Sequence, residues 1–181
     1  VFVEFAVNDG CAPPERIHKT MEGIVRQTWR ANPETDICFV YTFRVGYESE
    51  LAKGLCPRAT SAHERVAAHH GIPSINMALR IAELEREGKI VFKAGPGEAA
   101  PEGKTLFSRD GVHPLDAGHE IYAEVISDAI RGMRRASRPG PHALPAPLDA
   151  DNWEDARLVE VGPGMLEGGW RRMDPDKGLG R

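Results

Sequence analysis

Two short polar segments carry the side chains best suited to acid–base chemistry. The first is Asp110-Gly111-Val112-His113-Pro114, in which an aspartate precedes a histidine by three residues. An aspartate at that spacing can accept a hydrogen bond from the imidazole Nδ1–H. Nε2 would then be free to act as a base, and the imidazolium formed by proton uptake would be stabilised. The segment therefore predicts an oriented histidine base at His113, with Asp110 as its partner.

The second segment is Asn8-Asp9, which directly follows the apolar opening of the chain. An asparagine amide at the end of a strand can donate to a developing oxyanion, a contribution often worth about 3–4 kcal/mol. Taken singly, each segment is also typical of an ordinary turn, because Asn, Asp and Gly are common turn residues. The two together in one chain point more specifically to a catalytic site.

A nucleophile is harder to assign. By type, the candidates are Cys11, Ser61, Ser74 and Ser108. Ser74 does not lie in a Gly-x-Ser-x-Gly elbow. Ser61 fits the N-cap of a helix over 61–70, with Glu64 at the capping-box position, and Ser108 fits a turn. Cys11 lies just before an expected helix, where a thiol pKa is lowered, so a Cys11–His113 pair stays an alternative.

The sequence predicts no metal and no cofactor. His63-Glu64-Arg65-Val66-Ala67-Ala68-His69-His70 is not His-Glu-x-x-His. Seven residues of helix separate His63 from His70 by roughly 10 Å, too far for two ligands of one zinc ion. We therefore interpret this stretch as a solvated helix face. Cys11, Cys38 and Cys56 match no metal or redox motif.

Composition narrows the classes of partner. The net charge is −4, which argues against a nucleic-acid surface. No apolar run approaches the roughly 18 residues of a membrane span. Composition does not indicate the oligomeric state.

The elements that must position these residues alternate along the chain. Apolar runs predict strands at 1–7, 36–43, 72–75 and 90–92, and helical periodicity predicts helices at 14–31, 61–70, 77–87 and from Pro114 to about 135. A Gly/Pro loop is expected over 94–104. Such alternation is typical of an α/β fold, a parallel sheet with helices on both faces. Ligand sites in these sheets collect at the carboxyl ends of the strands, where Asn8 would lie.

The pattern breaks after Arg135. Prolines and glycines over 138–147 predict an extended linker, and Trp153 and Trp170 follow it. We therefore expect an α/β domain over 1–137. Residues 138–181 would form a linker and the beginning of a C-terminal module.

The two polar segments resemble conserved blocks of the SGNH, or GDSL-like, hydrolases. Phe5-Ala6-Val7-Asn8-Asp9 is similar to the third block and Asp110-Gly111-Val112-His113-Pro114 to the last, Asp-x-x-His; the resemblance covers about residues 1–135. It implies a flavodoxin-like three-layer αβα sandwich and hydrolysis of esters of lipids, carbohydrates or other small molecules, here with carbohydrate O-deacetylation as the expected case. It also implies His113 as general base, Asp110 as its orienting partner and Asn8 in the oxyanion hole.

The chain departs from the family in two places. Ala6 stands where the third block usually has Gly, and no Gly-Asp-Ser block is present. In the family that block supplies the nucleophilic serine, so we expect the serine and the first strand to precede Val1, and the chain by itself to be inactive. A non-catalytic α/β protein that binds a ligand or carbohydrate is the alternative. Some bacterial members carry a β-sandwich module after the hydrolase domain and are often exported, to the periplasm or beyond, so Trp153 and Trp170 would begin such a module.

Overall fold

The computed structural model describes residues 1–92, 97, 99–136, 139–160, 162 and 168–169. The described residues form a mixed α/β fold, as predicted. The strands are β1 (Phe2–Val3), β2 (Cys38–Tyr41), β3 (Ser74–Asn76), β4 (Ile90–Phe92) and β5 (Thr105–Ser108). The helices are α1 (Pro14–Ala31), α2 (Glu48–Ala52), α3 (Arg58–His70), α4 (Ala78–Arg86) and α5 (Asp116–Ala136), and a 3-10 turn covers Asn8–Cys11. None of the described helices is both long enough and apolar enough to cross a membrane.

The strands form two small parallel sheets. One has the order β1-β2-β3, with Phe2 opposite Cys38 and Phe39 opposite Ser74. The other pairs β4 with β5 and has an irregular register between Val91 and Phe92. Helices connect the strands of the first sheet, as parallel pairing requires. The single sheet expected from the sequence is thus two sheets among the described residues.

Alternate side chains of β2 pack into two core clusters, one on each face of the sheet. Phe39 and Tyr41 pack into a cluster with the apolar faces of α1 and α3. Val40, between them in sequence, packs on the other side with residues of α4 and α5. Successive side chains of a strand point to opposite faces, so one strand anchors both layers. Helices therefore cover both faces, as the alternation predicted.

Helix boundaries follow the predictions unevenly. α1 covers 14–31 as expected, because its apolar stripe is regular and Asn32 ends it. α3 begins at Arg58, after Pro57, so Ser61 lies inside the helix and its prediction as an N-cap is wrong. Pro114 was expected in the first turn of the last helix, but α5 begins two residues later. Pro114 instead forms an isolated β-bridge with Ser108.

The segment over 142–156 packs along α1. The backbone N–H groups of Leu148 and Asp149 donate to the buried carboxylate of Glu22, at 2.6 and 2.8 Å. Arg26 donates to the carbonyl of Pro145 and pairs with Glu154. The sequence predicted an extended linker over 138–147 and the beginning of a further module around Trp153, and did not anticipate this packing. Arg138, Trp170 and most of the remaining tail lie outside the described residues, so the C-terminal module stays a prediction.

Candidate active site

The loop after β5 holds Asp110 and His113 in the predicted hydrogen bond. His113 Nδ1 lies 2.6 Å from Asp110 Oδ2. Asp110 Oδ1 accepts three further hydrogen bonds at 2.9 Å, from Ser108 Oγ and from the backbone N–H groups of Val112 and His113. These hydrogen bonds, led by the one from the His113 ring, hold the pKa of the Asp110 carboxyl well below its usual range. An ionised Asp110 makes Nδ1 the protonated ring nitrogen, so Nε2 is the basic one.

Ser108, the last residue of β5, supports this loop through hydrogen bonds. It is fully buried, and its Oγ donates to Asp110 while accepting the backbone N–H of Gly111 at 2.9 Å. Gly111 has φ +85°, a left-handed conformation that favours glycine. Its carbonyl accepts a hydrogen bond from the N–H of Val45, which ties the loop to the segment after β2. Because its hydroxyl is hydrogen-bonded to both Asp110 and Gly111, we interpret Ser108 as an orienting residue rather than a nucleophile.

The start of α5 lies tightly against the same loop. A Cβ added to Gly118 would come within 2.8 Å of Pro114 Cβ and 2.9 Å of the buried Phe107 ring. The N–H of Leu115 donates to the carbonyl of Phe107 at 2.8 Å. This close approach fixes the position of His113 between β5 and α5.

Asn8 begins the 3-10 turn that follows β1. The turn is held by α3: His63 Nε2 lies 2.9 Å from Asp9 Oδ2, and Arg58 donates to the carbonyl of Gly10 at 2.9 Å. His63 is fully buried, between the edges of Phe39 and Tyr41. The Asn8 side chain is exposed at the turn that these contacts fix.

One cleft of about 420 Å³ brings Asn8 and His113 together. Glu4, Thr42 and Met77, which directly follow the carboxyl ends of β1, β2 and β3, also line it. The cleft thus lies at the edge of the sheet where α/β folds place ligands. Tyr122 of α5 lines the apolar side of the cleft, and its hydroxyl oxygen accepts the N–H of Phe43.

A larger cavity of about 880 Å³ lies between α2 and α4. Glu48, Asn76, Arg80 and Glu85 are among its polar lining residues, and neither Asn8 nor His113 borders it. No histidine is among the described residues that line this cavity, so its size alone does not make it the better candidate.

The other nucleophile candidates lie outside the cleft. Cys11 is exposed at the end of the 3-10 turn, and Ser61 is exposed on α3. The described residues that line the cleft include none of the four candidates, Cys11, Ser61, Ser74 and Ser108. The structure therefore brings together Asn8, Asp110 and His113 but adds none of the four candidates.

The interpretation of α3 as a solvated face is wrong. His63 is fully buried and His70 is 8% exposed. Both lie on the stripe of buried residues formed by Ala59, Ala62, Val66 and Ala67, and that spacing was the signal that could have placed them in the core. Their partners, Asp9 and Glu22, are distant in sequence, so no sequence pattern indicates the pairs.

Comparisons of the chain with family models, curated proteins and solved structures find no match. The assignment of the cleft therefore depends on the geometry described above.

Proposed function

We propose that this chain carries the base and an oxyanion donor of an SGNH-type serine esterase, with carbohydrate O-acetyl esters as the expected substrates. The single observation that carries the proposal is the 2.6 Å contact between Asp110 and His113 at the mouth of a cleft that Asn8 also lines. In this reaction a serine attacks the ester carbonyl, an acyl-enzyme forms with loss of the alcohol, and water then releases the acid.

His113 would move the proton in both halves of the reaction. Nδ1 is occupied by Asp110, and the side chain is 84% exposed, so Nε2 is accessible to a serine hydroxyl or a water molecule. The negative charge of Asp110 would stabilise the imidazolium after each proton transfer without itself taking the proton. Protonated His113 would then donate to the leaving alkoxide.

Asn8 would donate its side-chain amide to the oxyanion of the tetrahedral intermediate. The turn that carries it is held at Asp9 and Gly10 by contacts from α3. A donor fixed in this way needs little reorganisation when charge develops, which is why such groups contribute strongly to catalysis.

The nucleophile in this proposal is a serine that the sequence given does not supply, because it has no Gly-Asp-Ser block. No serine or cysteine is among the described residues that line the cleft. The serine-bearing segment would approach the exposed face of the His113 ring. The same observation favours the second candidate function, a protein that binds a ligand in this cleft without reacting with it.

Hydrolysis of small acetyl esters distinguishes the two functions. We would compare the chain as given with the longest open reading frame that contains it, using 4-nitrophenyl acetate and an acetylated sugar. The proposal predicts negligible turnover for the first protein, and for the second a turnover that requires His113 and a serine that a fluorophosphonate labels. If the protein from the longest open reading frame binds the sugar but does not hydrolyse either ester, the result would contradict the esterase function and support the binding function.

A further inference from the structure

A second group of titratable side chains lies between α1 and α3. Glu22 belongs to α1, and His69 and His70 are the last two residues of α3. One ligand atom of each lies within 4.8 Å of the other two. None of the three lines the cleft, and the proposed esterase chemistry does not use them.

Glu22 is a fully buried carboxylate with a fixed orientation. The backbone N–H groups of Leu148 and Asp149 donate to its two oxygens, so the segment over 142–156 holds it in place. Arg26, the neighbouring cation one turn further along α1, pairs with Glu154 instead. Hydrogen bonds of this kind to a carboxylate are what orients ligands in metal sites.

His70 is buried and only half satisfied. Its Nε2 lies 3.1 Å from Glu22 Oε1, while Nδ1 is buried without a hydrogen-bond partner in the described part of the chain. A neutral imidazole offers one donor and one acceptor, so either tautomer leaves a buried polar atom unpaired, which costs about 1–3 kcal/mol in typical cases. Nε2 faces Glu22, so it is the ring nitrogen that could share an ion with that carboxylate.

His69 lies on the solvent-exposed side of this group of three residues. It is exposed, and its Nε2 lies 2.8 Å from the carbonyl oxygen of Ala146. Exchange of that one hydrogen bond for a bond to an ion would not unpack the core. The exposed side also leaves room for a water molecule as a further ligand.

We propose that Glu22, His69 and His70 form a binding site for Zn²⁺. Two imidazoles and one carboxylate, with an open position, are a donor set that zinc uses in proteins. Tetrahedral ligands at about 2.0–2.1 Å from zinc lie a little over 3 Å from one another. The 3.1 Å between His70 and Glu22 is already near that spacing, so His69 is the ligand that must move closer. An ion here would link α1, α3 and the segment over 142–156.

Titration of the metal-free chain with Zn²⁺, followed by calorimetry and by the unfolding temperature, tests the site. We expect binding of one ion per chain, a rise in the unfolding temperature with zinc, and weaker binding at lower pH because the imidazoles must be deprotonated. His69→Gln changes an exposed residue and should leave the fold intact. It should reduce affinity by more than the roughly 10–100-fold caused by loss of a residue that only hydrogen-bonds to a ligand.

His113→Gln is the matched control, because His113 is also exposed and also paired with a carboxylate. This variant should bind Zn²⁺ as the unchanged chain does. The proposal is overturned if the chain shows no saturable binding, if His69→Gln binds as tightly as the unchanged chain, or if His113→Gln is the variant that loses the ion. Because no outcome depends on ester hydrolysis, failure here would leave the proposed function untouched.

Discussion

At the scale of single residues, the loop after β5 is built around the carboxylate of Asp110. This side chain accepts four hydrogen bonds, one of them from the His113 ring, although Asp110 and His113 are both exposed. In an exposed loop, geometry of this kind comes from short-range contacts rather than from burial. The histidine is therefore oriented by residues within a span of six positions, from Ser108 to His113.

The lowered pKa of Asp110 gives the loop a definite pH dependence. Its carboxyl pKa is lower in the folded chain than the roughly 3.9 expected when unfolded. The resulting stabilisation is present above that value and is lost as the pH falls through the folded pKa. We expect the amide NMR resonances of Val112 and His113 to titrate with a midpoint clearly below 3.9, and not at all in Asp110→Asn. A midpoint at or above the unfolded value would contradict the hydrogen-bond network.

Replacement of Ser108 tests whether its hydroxyl stabilises the loop after β5. Ser108→Ala removes the donor to Asp110 and leaves the buried N–H of Gly111 without its acceptor. We expect the free energy of unfolding to fall by about 1–3 kcal/mol, measured by denaturant titration. Ser61→Ala is the control. Its side chain is exposed, and its one hydrogen bond to a described residue is the 3.5 Å contact with the carbonyl of Cys56, so a change within about 0.5 kcal/mol is expected. Equal effects of the two variants would show that Ser108 does not support the loop.

At the scale of elements, regular apolar periodicity was the reliable guide. α1 could be predicted to the residue because its buried positions recur without interruption from Ile17 to Trp29. The five residues of α2 are too few to show such a period, and β5 comes directly after a stretch dominated by Gly and Pro. These two elements were therefore missed, although β5 carries the loop of the candidate site.

Polar pairs between elements were the other feature beyond the reach of the sequence. Asp110 and His113 were found because both lie in one loop. Asp9–His63 and Glu22–His70 join residues from different elements, with separations of 54 and 48 positions. The spacing of His63 and His70 among the small apolar residues of α3 indicates a core position, but only the folded chain shows which carboxylates they contact.

The contact between α1 and the segment over 142–156 can be tested at a single glycine. A Cβ on Gly23 would lie 2.8 Å from the backbone carbonyl carbon of Trp153. We expect Gly23→Ala to displace the segment, lowering the free energy of unfolding by about 1–3 kcal/mol and increasing thermolysin cleavage within 142–156.

Gly132, in α5, provides the comparison for Gly23. Apart from its chain neighbours and the nearby backbone of its own helix, no described residue has a heavy atom within 4 Å of an added Cβ here. Gly132→Ala should therefore stabilise the chain by about 0.5–1 kcal/mol, as expected for alanine in an exposed helix. If Gly23→Ala is as stable and as protease-resistant as Gly132→Ala, the segment does not pack on α1 as described.

At the scale of the whole molecule, the arrangement of the layers determines where the cleft lies. Parallel strands bring their carboxyl ends to one edge, and Glu4, Thr42 and Met77 follow three of those ends into one cleft. The loop after β5 adds His113 to the same cleft. The alternation of strands and helices predicted this edge as the site, but the volume of the cleft and its apolar side depend on the packing of α5, which the sequence did not give.

We propose above that His113 acts as the base of an ester hydrolase. The most direct test of that proposal is kcat/KM for 4-nitrophenyl acetate, measured on the longest open reading frame containing this chain, for the unchanged protein and for His113→Gln. His18→Gln, a histidine of α1 outside the cleft, is the control. We predict that His113→Gln lowers kcat/KM on the order of 10³-fold or more, as when a catalytic triad loses its histidine or the correct tautomer of that histidine. For His18→Gln we expect a kcat/KM within a few-fold of the unchanged protein. Equal kcat/KM for the unchanged protein and His113→Gln would show that His113 is not the base.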